Sequence, residues 1–402
     1  MAYLGQSIAV VPGNYGASAF GELRVSLPYT LLDWTWKYSI DALEWGTALV
    51  GGGTVTHQPN ESSATVAVGT ANADRARLRS HTHFRYQAGK GQRVLQSIIN
   101  SNAGNADQTR RWGQYDDSDG LFWELAGTTF GIVVRTSTSG GAVDTKVNQS
   151  AWNFDKLDGT GRSGVTLDLT KGSIFEIDYQ WLGVGVVRWF VNGLLVHETI
   201  NPNTLTVPYM KTAVLPIQYE VVNTAGSTAG GFDAVCVAVR SESGEAPPEY
   251  SFGAFNSADI SVTTTERPLL SIRPAATFNS LTNRMLLLPI LMSVSTEGAR
   301  AGYRLVFGGT LTGASWSAAD AASGAERDSS ATAITGGTTL FRSFLADLTA
   351  ANVDIRAMFQ TLARKLRLDA FGTVPDTLTV MGVNEAAGTT NMRASLTWGE
   401  VR

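Results

Sequence analysis

Hydrophobic and polar residues alternate along much of this chain, and the clearest stretch runs from Ile174 to Ile200. Phe175, Ile177, Tyr179 and Trp181 alternate with Glu176, Asp178 and Gln180, which predicts a pleated strand with one apolar and one polar face. Leu182-Gly183-Val184-Gly185 breaks the pattern and Val186 to Val191 resumes it. Asn192-Gly193 follows, the pair that most readily takes the two positive φ angles of a type I′ turn. Leu194 to Ile200 returns from that turn. With aromatics at 179, 181, 189 and 190, the three strands predict the centre of a sheet packed against a second layer.

The same reading extends to both sides. Residues 1–20 hold a short apolar run with Ile8, Val10 and Val11 but no period of their own, and they read as an extended arm, either a free tail or a strand for a neighbouring sheet edge. Strands are predicted over Leu23–Tyr38, Thr54–His57, Ser63–Val68, His81–Tyr86, Gln92–Asn100, Gly113–Tyr115, Leu121–Leu125 and Phe130–Thr136. Turn signals between them recur at roughly 8 to 12 residues, the spacing of a β-sandwich. Ile217–Val222 and the nearly continuous apolar run Phe232–Arg240, read as buried on both faces, complete it. Gly, Pro and charge then cluster over Ser241–Pro248, where a domain boundary is expected. The organisation is therefore an arm (1–20), a β-sandwich domain (21–245) and a second, smaller β-rich domain (246–402). The second domain carries one exception to strand patterning. Ile355, Met358, Phe359, Leu362 and Leu366 stand at spacings of three and four, which predicts an amphipathic helix over 353–368 with Arg364, Lys365 and Arg367 toward its C-terminal end.

Composition narrows the function classes. Hydrophobic residues make up 43% of the 402, as in a globular chain, but only 16% are charged against about 25% in an ordinary soluble domain. Such a weakly charged surface suits a protein packed into an assembly. The net charge is −4 and no basic stripe appears, so nucleic acid is not an expected partner. Arg75, Arg77 and Arg79 alternate and read as an exposed strand face. The single cysteine, Cys236, lies in an apolar run and reads as a small buried hydrophobe. No run of 18 apolar residues and no basic leader followed by an apolar segment is present. Neither a membrane span nor a secretory signal is expected, and synthesis and retention in a cytoplasm are.

Candidate chemistry is sparse. Glu176-Ile177-Asp178 places two carboxylates on one strand face, and it resembles the Glu-x-Asp-x-Glu strand of laminarinase-like glycoside hydrolases, whose sandwich is also a jelly roll. In that family the first Glu is the nucleophile and the last the general acid and base; here the last position is Gln180, whose amide cannot donate the proton that the leaving oxygen needs. A solvated polar strand face is the simpler reading. Tyr115 to Gly120 contains three aspartates in a calcium-loop-like run, but aligning Gly120 with the loop glycine puts Tyr115 at the first carboxylate position and Ala126 at the bidentate one, so a hairpin turn explains it. His81 and His83 share a strand face without a third ligand nearby and read as a surface pair. Trp112, Trp123 and Trp152 sit beside predicted loops, where an indole could stack on a sugar ring, with core packing as the alternative. No catalytic residue, metal site or cofactor is expected.

Several blocks resemble a family of virion structural proteins of tailed bacteriophages. They are Tyr115-Asp116 through Gly120-Leu121-Phe122, Val133 to Gly140, Trp152 to Gly161, Gly164 to Lys171, Gln180 to Gly185 and Arg267 to Pro274. The resemblance runs over most of the chain from Phe20. It implies a mainly β particle component with a jelly-roll, concanavalin-like sandwich ahead of the smaller domain. It also implies residence in the virion after synthesis in the bacterial host cytoplasm, and partners among other phage virion proteins and copies of itself. It carries no catalytic residues. Two roles follow: a capsid decoration, tail or fibre component that assembles as an oligomer, or an adhesin whose loops bind host surface glycan.

Overall fold

The computed structural model describes residues 27–226, 228–244, 250–360 and 365–402, and the chain divides into two compact units, Met1–Ala246 and Pro247–Arg402. The expected arm, with Ile8, Val10 and Val11, lies outside the described residues. Among these no helix is long and apolar enough to cross a membrane.

The first unit is a two-sheet antiparallel sandwich. Its strands are β1 (Tyr29–Thr35), β2 (Trp45–Val50), β3 (Thr54–Gln58), β4 (Ser63–Val68), β5 (Arg75–Phe84), β6 (Gln92–Asn100), β7 (Gln108–Tyr115), β8 (Gly120–Ala126), β9 (Thr129–Thr136), β10 (Val143–Asn148), β11 (Ser173–Tyr179), β12 (Val187–Val191), β13 (Leu194–Thr199), β14 (Leu215–Asn223) and β15 (Gly230–Ser241). One sheet runs β13-β12-β11-β6-β15-β4-β3, with β1 also paired to β15, and the other runs β10-β9-β8-β7-β14-β5-β2. This is the β-sandwich that the strand pattern predicts, with the jelly-roll, concanavalin-like arrangement expected of it. The chain enters β1 at Tyr29 opposite Ser241, where β15 ends.

Alternation decides what lies between the sheets. Phe175, Ile177 and Tyr179 of β11, Trp189 and Val191 of β12, Trp112 of β7 and Trp123 of β8 all point inward and are buried. Trp112 and Trp123 stand directly opposite each other on neighbouring strands. Both rings lie nearly parallel to Phe130 at 5.8 and 5.7 Å. Across the gap they meet Phe175 edge-on or tilted at 5.0 and 5.3 Å, and Trp189 closes on Trp123 at 5.3 Å. Edge-to-face and offset contacts of this kind add about 0.5–1.5 kcal/mol per pair beyond burial.

The hairpin of β12 and β13 forms as its sequence predicts. Asn192 and Gly193 take φ of 48° and 82°, the two left-handed residues that a type I′ turn requires, and Val191 pairs with Leu194. Asn192 Oδ1 also accepts the Ile174 amide at 2.8 Å, fixing the turn to β11. Its place differs from the expectation of a sheet centre, because β13 is an edge strand. That edge is covered by the segment Asn153-Phe154-Asp155. The Phe154 and Asp155 amides donate to Val196 O, and Asn153 exchanges two hydrogen bonds with the Glu198 backbone. Trp181 falls past the end of β11 and is half-buried, its Nε1 donating to Met210 O at 3.1 Å.

β15 is not buried on both faces. A bulge opposite β6, between Ala234 and Cys236, leaves Phe232, Ala234, Val237 and Val239 inward and turns Cys236 outward, half-exposed, with its Sγ 3.1 Å from Ser97 Oγ.

The second unit is also a sandwich. Thr390–Val401 lies between Tyr250–Phe255 and Leu286–Thr296, which pairs in turn with Ala350–Asp354. Facing it is a six-stranded sheet in the order Ser317–Ala318, Ala325–Asp328, Arg267–Pro274, Leu378–Asn384, Ala301–Phe307, Thr338–Leu345. The long amphipathic helix expected here is reduced to Arg356–Gln360 among the described residues. Val353 instead lies in a strand opposite Met292, and Leu366 bridges Leu287. Ile355, Phe359 and Leu366 reach the same core.

Trp123→Ala should cost about 3–5 kcal/mol of stability by urea unfolding, as for a fully buried indole; a change within about 0.5 kcal/mol would mark it instead as a surface residue.

Candidate functional site

The acidic strand can now be placed. Because Ile177 and Tyr179 point into the sandwich, Glu176 and Asp178 lie on the outer face of their sheet. On that face Arg240, Arg93, Asp178, Arg188 and Glu198 stand opposite one another on β15, β6, β11, β12 and β13. The Arg93 guanidinium donates from Nε to Glu176 Oε2 at 2.9 Å, and Arg188 Nε pairs with Glu198 Oε2 at 3.0 Å. Phe190, directly opposite Glu176, is buried on the same face. The expected solvated face is therefore closed: Glu176 and Asp178 are only 5% and 4% exposed, because long arginine stems and Phe190 cover them.

This arrangement lacks the parts of a two-carboxyl hydrolase. Glu176 is engaged by a guanidinium. Gln180 is fully buried, its side-chain nitrogen and oxygen have no hydrogen-bond partner among the described residues, and it holds no proton for a leaving group. The row of charges instead pairs strands with one another.

The opposite sheet repeats the device more densely. Glu220 on β14 is 1% exposed and accepts from Arg75, from Arg77 Nε at 2.8 Å and from Arg111 Nη1 at 3.2 Å. Arg111 reaches Glu124 at 2.7 Å, Lys146 joins Glu124 at 3.0 Å, and Arg77 also binds Asp117. Arg75, Arg77 and Arg79 are thus members of a network, not the exposed strand face expected from their alternation; Arg79 is 3% exposed and pairs with Gln218 of β14. Burial opposes the Arg111 cation, but Tyr115, Glu124 and Glu220 outweigh it and raise its pKa. Tyr115, Phe122 and Val133 form a small apolar island in this face, with Arg135 5.1 Å above the Phe122 ring.

Asp117 of the calcium-like run pairs with Arg77, and the other two aspartates hold loops. Asp116 Oδ1 accepts the Ser118 and Asp119 amides at 2.7 and 2.9 Å, and Asp119 Oδ1 accepts the Ser137 and Lys211 amides at 3.1 and 2.8 Å. Among the described residues no group of three or more His, Cys, Asp or Glu could hold a metal ion. His83 is buried and His81 half-buried, so they are not the surface pair expected.

The three tryptophans singled out for sugar stacking are all core residues. Trp112 and Trp123 are fully buried and Trp152, 3% exposed, packs edge-on against Trp123 at 5.9 Å. Strand parity accounts for the first two. Trp152 is drawn in by the short 3-10 helix Gln149–Ala151 and the chain segment that covers β13.

What the sequence did not single out is an apolar rim at one end of the sandwich. Leu182 and Val184 of one loop, and Ile200, Leu205 and Val207 of another, are 40–59% exposed. The two loops are stitched together: Tyr209 N donates to Gly183 O at 2.9 Å and Asn201 Nδ2 to Gly185 O at 2.7 Å. Leu182 and Gly183 both have positive φ, so this loop has a defined shape. Its signal in the sequence is an aliphatic-glycine repeat, Leu182-Gly183-Val184-Gly185, that reads only as a break.

No protein-family model matches the sequence, and no curated protein does. Solved structures similar to part of the chain include endo-1,3-β-glucanase from Streptomyces sioyaensis, with 11% identity over 53% of this chain and 96% of that one at a TM-score of 0.37. The potassium-bound carbohydrate recognition domain of Emp46p shares 11% over 52% and 95% at 0.32. An endo-β-1,4-glucuronan lyase from the fungus Trichoderma reesei shares 11% over 52% and 95% at 0.33. Similarities at this level transfer no chemistry to the chain.

One buried histidine provides a pH test. His197 is 7% exposed, its Nδ1 accepts the Asn153 amide at 3.3 Å, and burial lowers its pKa, so the fold holds it neutral. The unfolded chain, with a histidine pKa of about 6.5, takes up the proton first. Stability from this group is complete above about pH 6.5 and falls below it, by at most about 1.4 kcal/mol per pH unit. Urea unfolding at about pH 7.5 and about pH 5.5 should show this loss in the wild type and its absence in His197→Gln.

Proposed function

We propose that this chain is a structural component of a tailed-phage particle, an external capsid decoration or a tail or fibre protein, which packs against copies of itself and other virion proteins. The observation that carries this reading is the apolar rim. Leu182, Val184, Ile200, Leu205 and Val207 stand on two loops locked to each other by backbone and side-chain hydrogen bonds, so their exposure belongs to a built surface. The rest of the first unit supports the same reading. The polar faces of both sheets neutralise their own charges, and the tryptophans serve the core. Low overall charge and the sequence blocks that resemble phage virion proteins agree with it.

Cryo-electron microscopy and quantitative mass spectrometry of purified particles test the proposal. Hundreds of copies over the capsid would identify a decoration protein and a few copies at the tail a fibre component; absence from the particle would refute the reading. Val184→Asp with Val207→Asp should leave the melting temperature within about 2 °C, as expected for exposed sites, while reducing incorporation or self-association at least about tenfold, a loss of roughly 1.4 kcal/mol. Unchanged occupancy would remove the rim from assembly.

A further inference from the structure

The outer face of the six-stranded sheet in the second unit holds a cleft at whose floor a glycine, Gly302, lets a carboxylate approach the strand. Gly302, on Ala301–Phe307, stands directly opposite Phe344 on one neighbouring strand and Val383 on the other. All three positions face the same side, so Phe344 and Val383 flank the glycine. The resulting cleft has a volume of about 200 Å³. Phe344 is 63% exposed and gives the cleft an open aromatic wall.

The glycine is not there for its backbone, because Gly302 is not among the residues with positive φ. A glycine within a strand weakens it by roughly 0.5–1 kcal/mol relative to alanine, and its use there marks a close approach. The approaching group is a carboxylate: a Cβ on Gly302 would stand 2.5 Å from Glu385 Oε1 and 2.9 Å from Val383 Cγ1. Glu385 is exposed and has no ion pair among the described residues. On the same cleft, Glu266 pairs with Arg304 at 2.6 Å and with Arg342 at 2.7 Å, and Arg304 Nη1 donates to Thr339 Oγ1 at 2.7 Å. Arg342 remains largely exposed and has donors to spare.

We infer that this cleft is a binding site for one ring of a neutral saccharide. The two glutamates and two arginines lining it sum to zero charge, which suits neither a free anion nor a free cation. A pyranose ring has an apolar C–H face for the exposed Phe344 ring and hydroxyl groups that both donate to Glu385 and accept from Arg342. Gly302 leaves room for the Glu385 carboxylate to lie over the floor of the cleft, where it can meet hydroxyl groups of the ring. The inference does not depend on the particle assignment, because it concerns only side chains of the second unit.

Saturation-transfer NMR of the full chain with glucose, galactose, mannose, rhamnose and N-acetylglucosamine is the test. At least one sugar should bind, Phe344→Ala and Glu385→Gln should each weaken it at least about tenfold, and Gly302→Leu, whose side chain would push the Glu385 carboxylate off the floor of the cleft, should abolish it. Phe344 and Glu385 are exposed, so both variants should keep the wild-type melting curve. Failure of every sugar to bind, or binding retained in both variants, overturns the inference. So would binding of a lysine-rich peptide with the same dependence on Phe344 and Glu385, which would mark the cleft as a site for a basic protein segment.

Discussion

The aromatic slab between the two sheets of the first unit is the constraint on which everything else there depends. Trp112, Trp123, Phe130, Phe175 and Trp189 meet across the gap in stacked and edge-on pairs, and such large rigid rings tolerate little change in sheet spacing or strand register. A slip of one residue in β11 would replace Phe175 and Ile177 by Glu176 and Asp178 inside the slab. The charges on the outer faces are therefore a consequence of the aromatic register.

Those outer faces are where catalysis or metal binding would be sought, and they are internally satisfied. Glu220 takes three arginines, Glu176 takes Arg93, and Asp119 ties three loops together through backbone amides and a hydroxyl. Ion pairs that are partly buried contribute modestly to stability but strongly disfavour alternative pairings, since a displaced strand would strand a charge without its partner. What the first unit leaves exposed is instead apolar, the loop rim, whereas the cleft beside Phe344 in the second unit combines an aromatic wall with charged side chains.

Much of the fold was legible because alternation of period two is a local signal. β6 has its predicted bounds, Asn192-Gly193 turns as its residue types require, and the sandwich follows from regularly spaced turns. The errors arise where tertiary context assigns the face. Sequence cannot tell which side of a strand a second layer covers with arginine stems, so Glu176, Asp178, Arg77 and Arg79 read as solvated although they are mostly or fully covered. Of the helix expected over 353–368, the described residues show Arg356–Gln360, and the ends differ because Val353 and Leu366 pair with neighbouring strands while Ile355, Phe359 and Leu366 share one core. The cleft at Gly302 was invisible for a related reason: its walls, Phe344 and Val383, lie about forty and eighty positions away in sequence and meet only through strand pairing.

The pairing of Tyr29 with Ser241 has a mechanical consequence. Tyr29 begins β1 and Ser241 ends β15, so the first and last strands of the first sandwich have these ends side by side. Tension applied through the two ends would not cross the aromatic slab. It would peel β1 from β15 one hydrogen bond at a time, beginning at Tyr29, so under load this contact yields before the slab is strained.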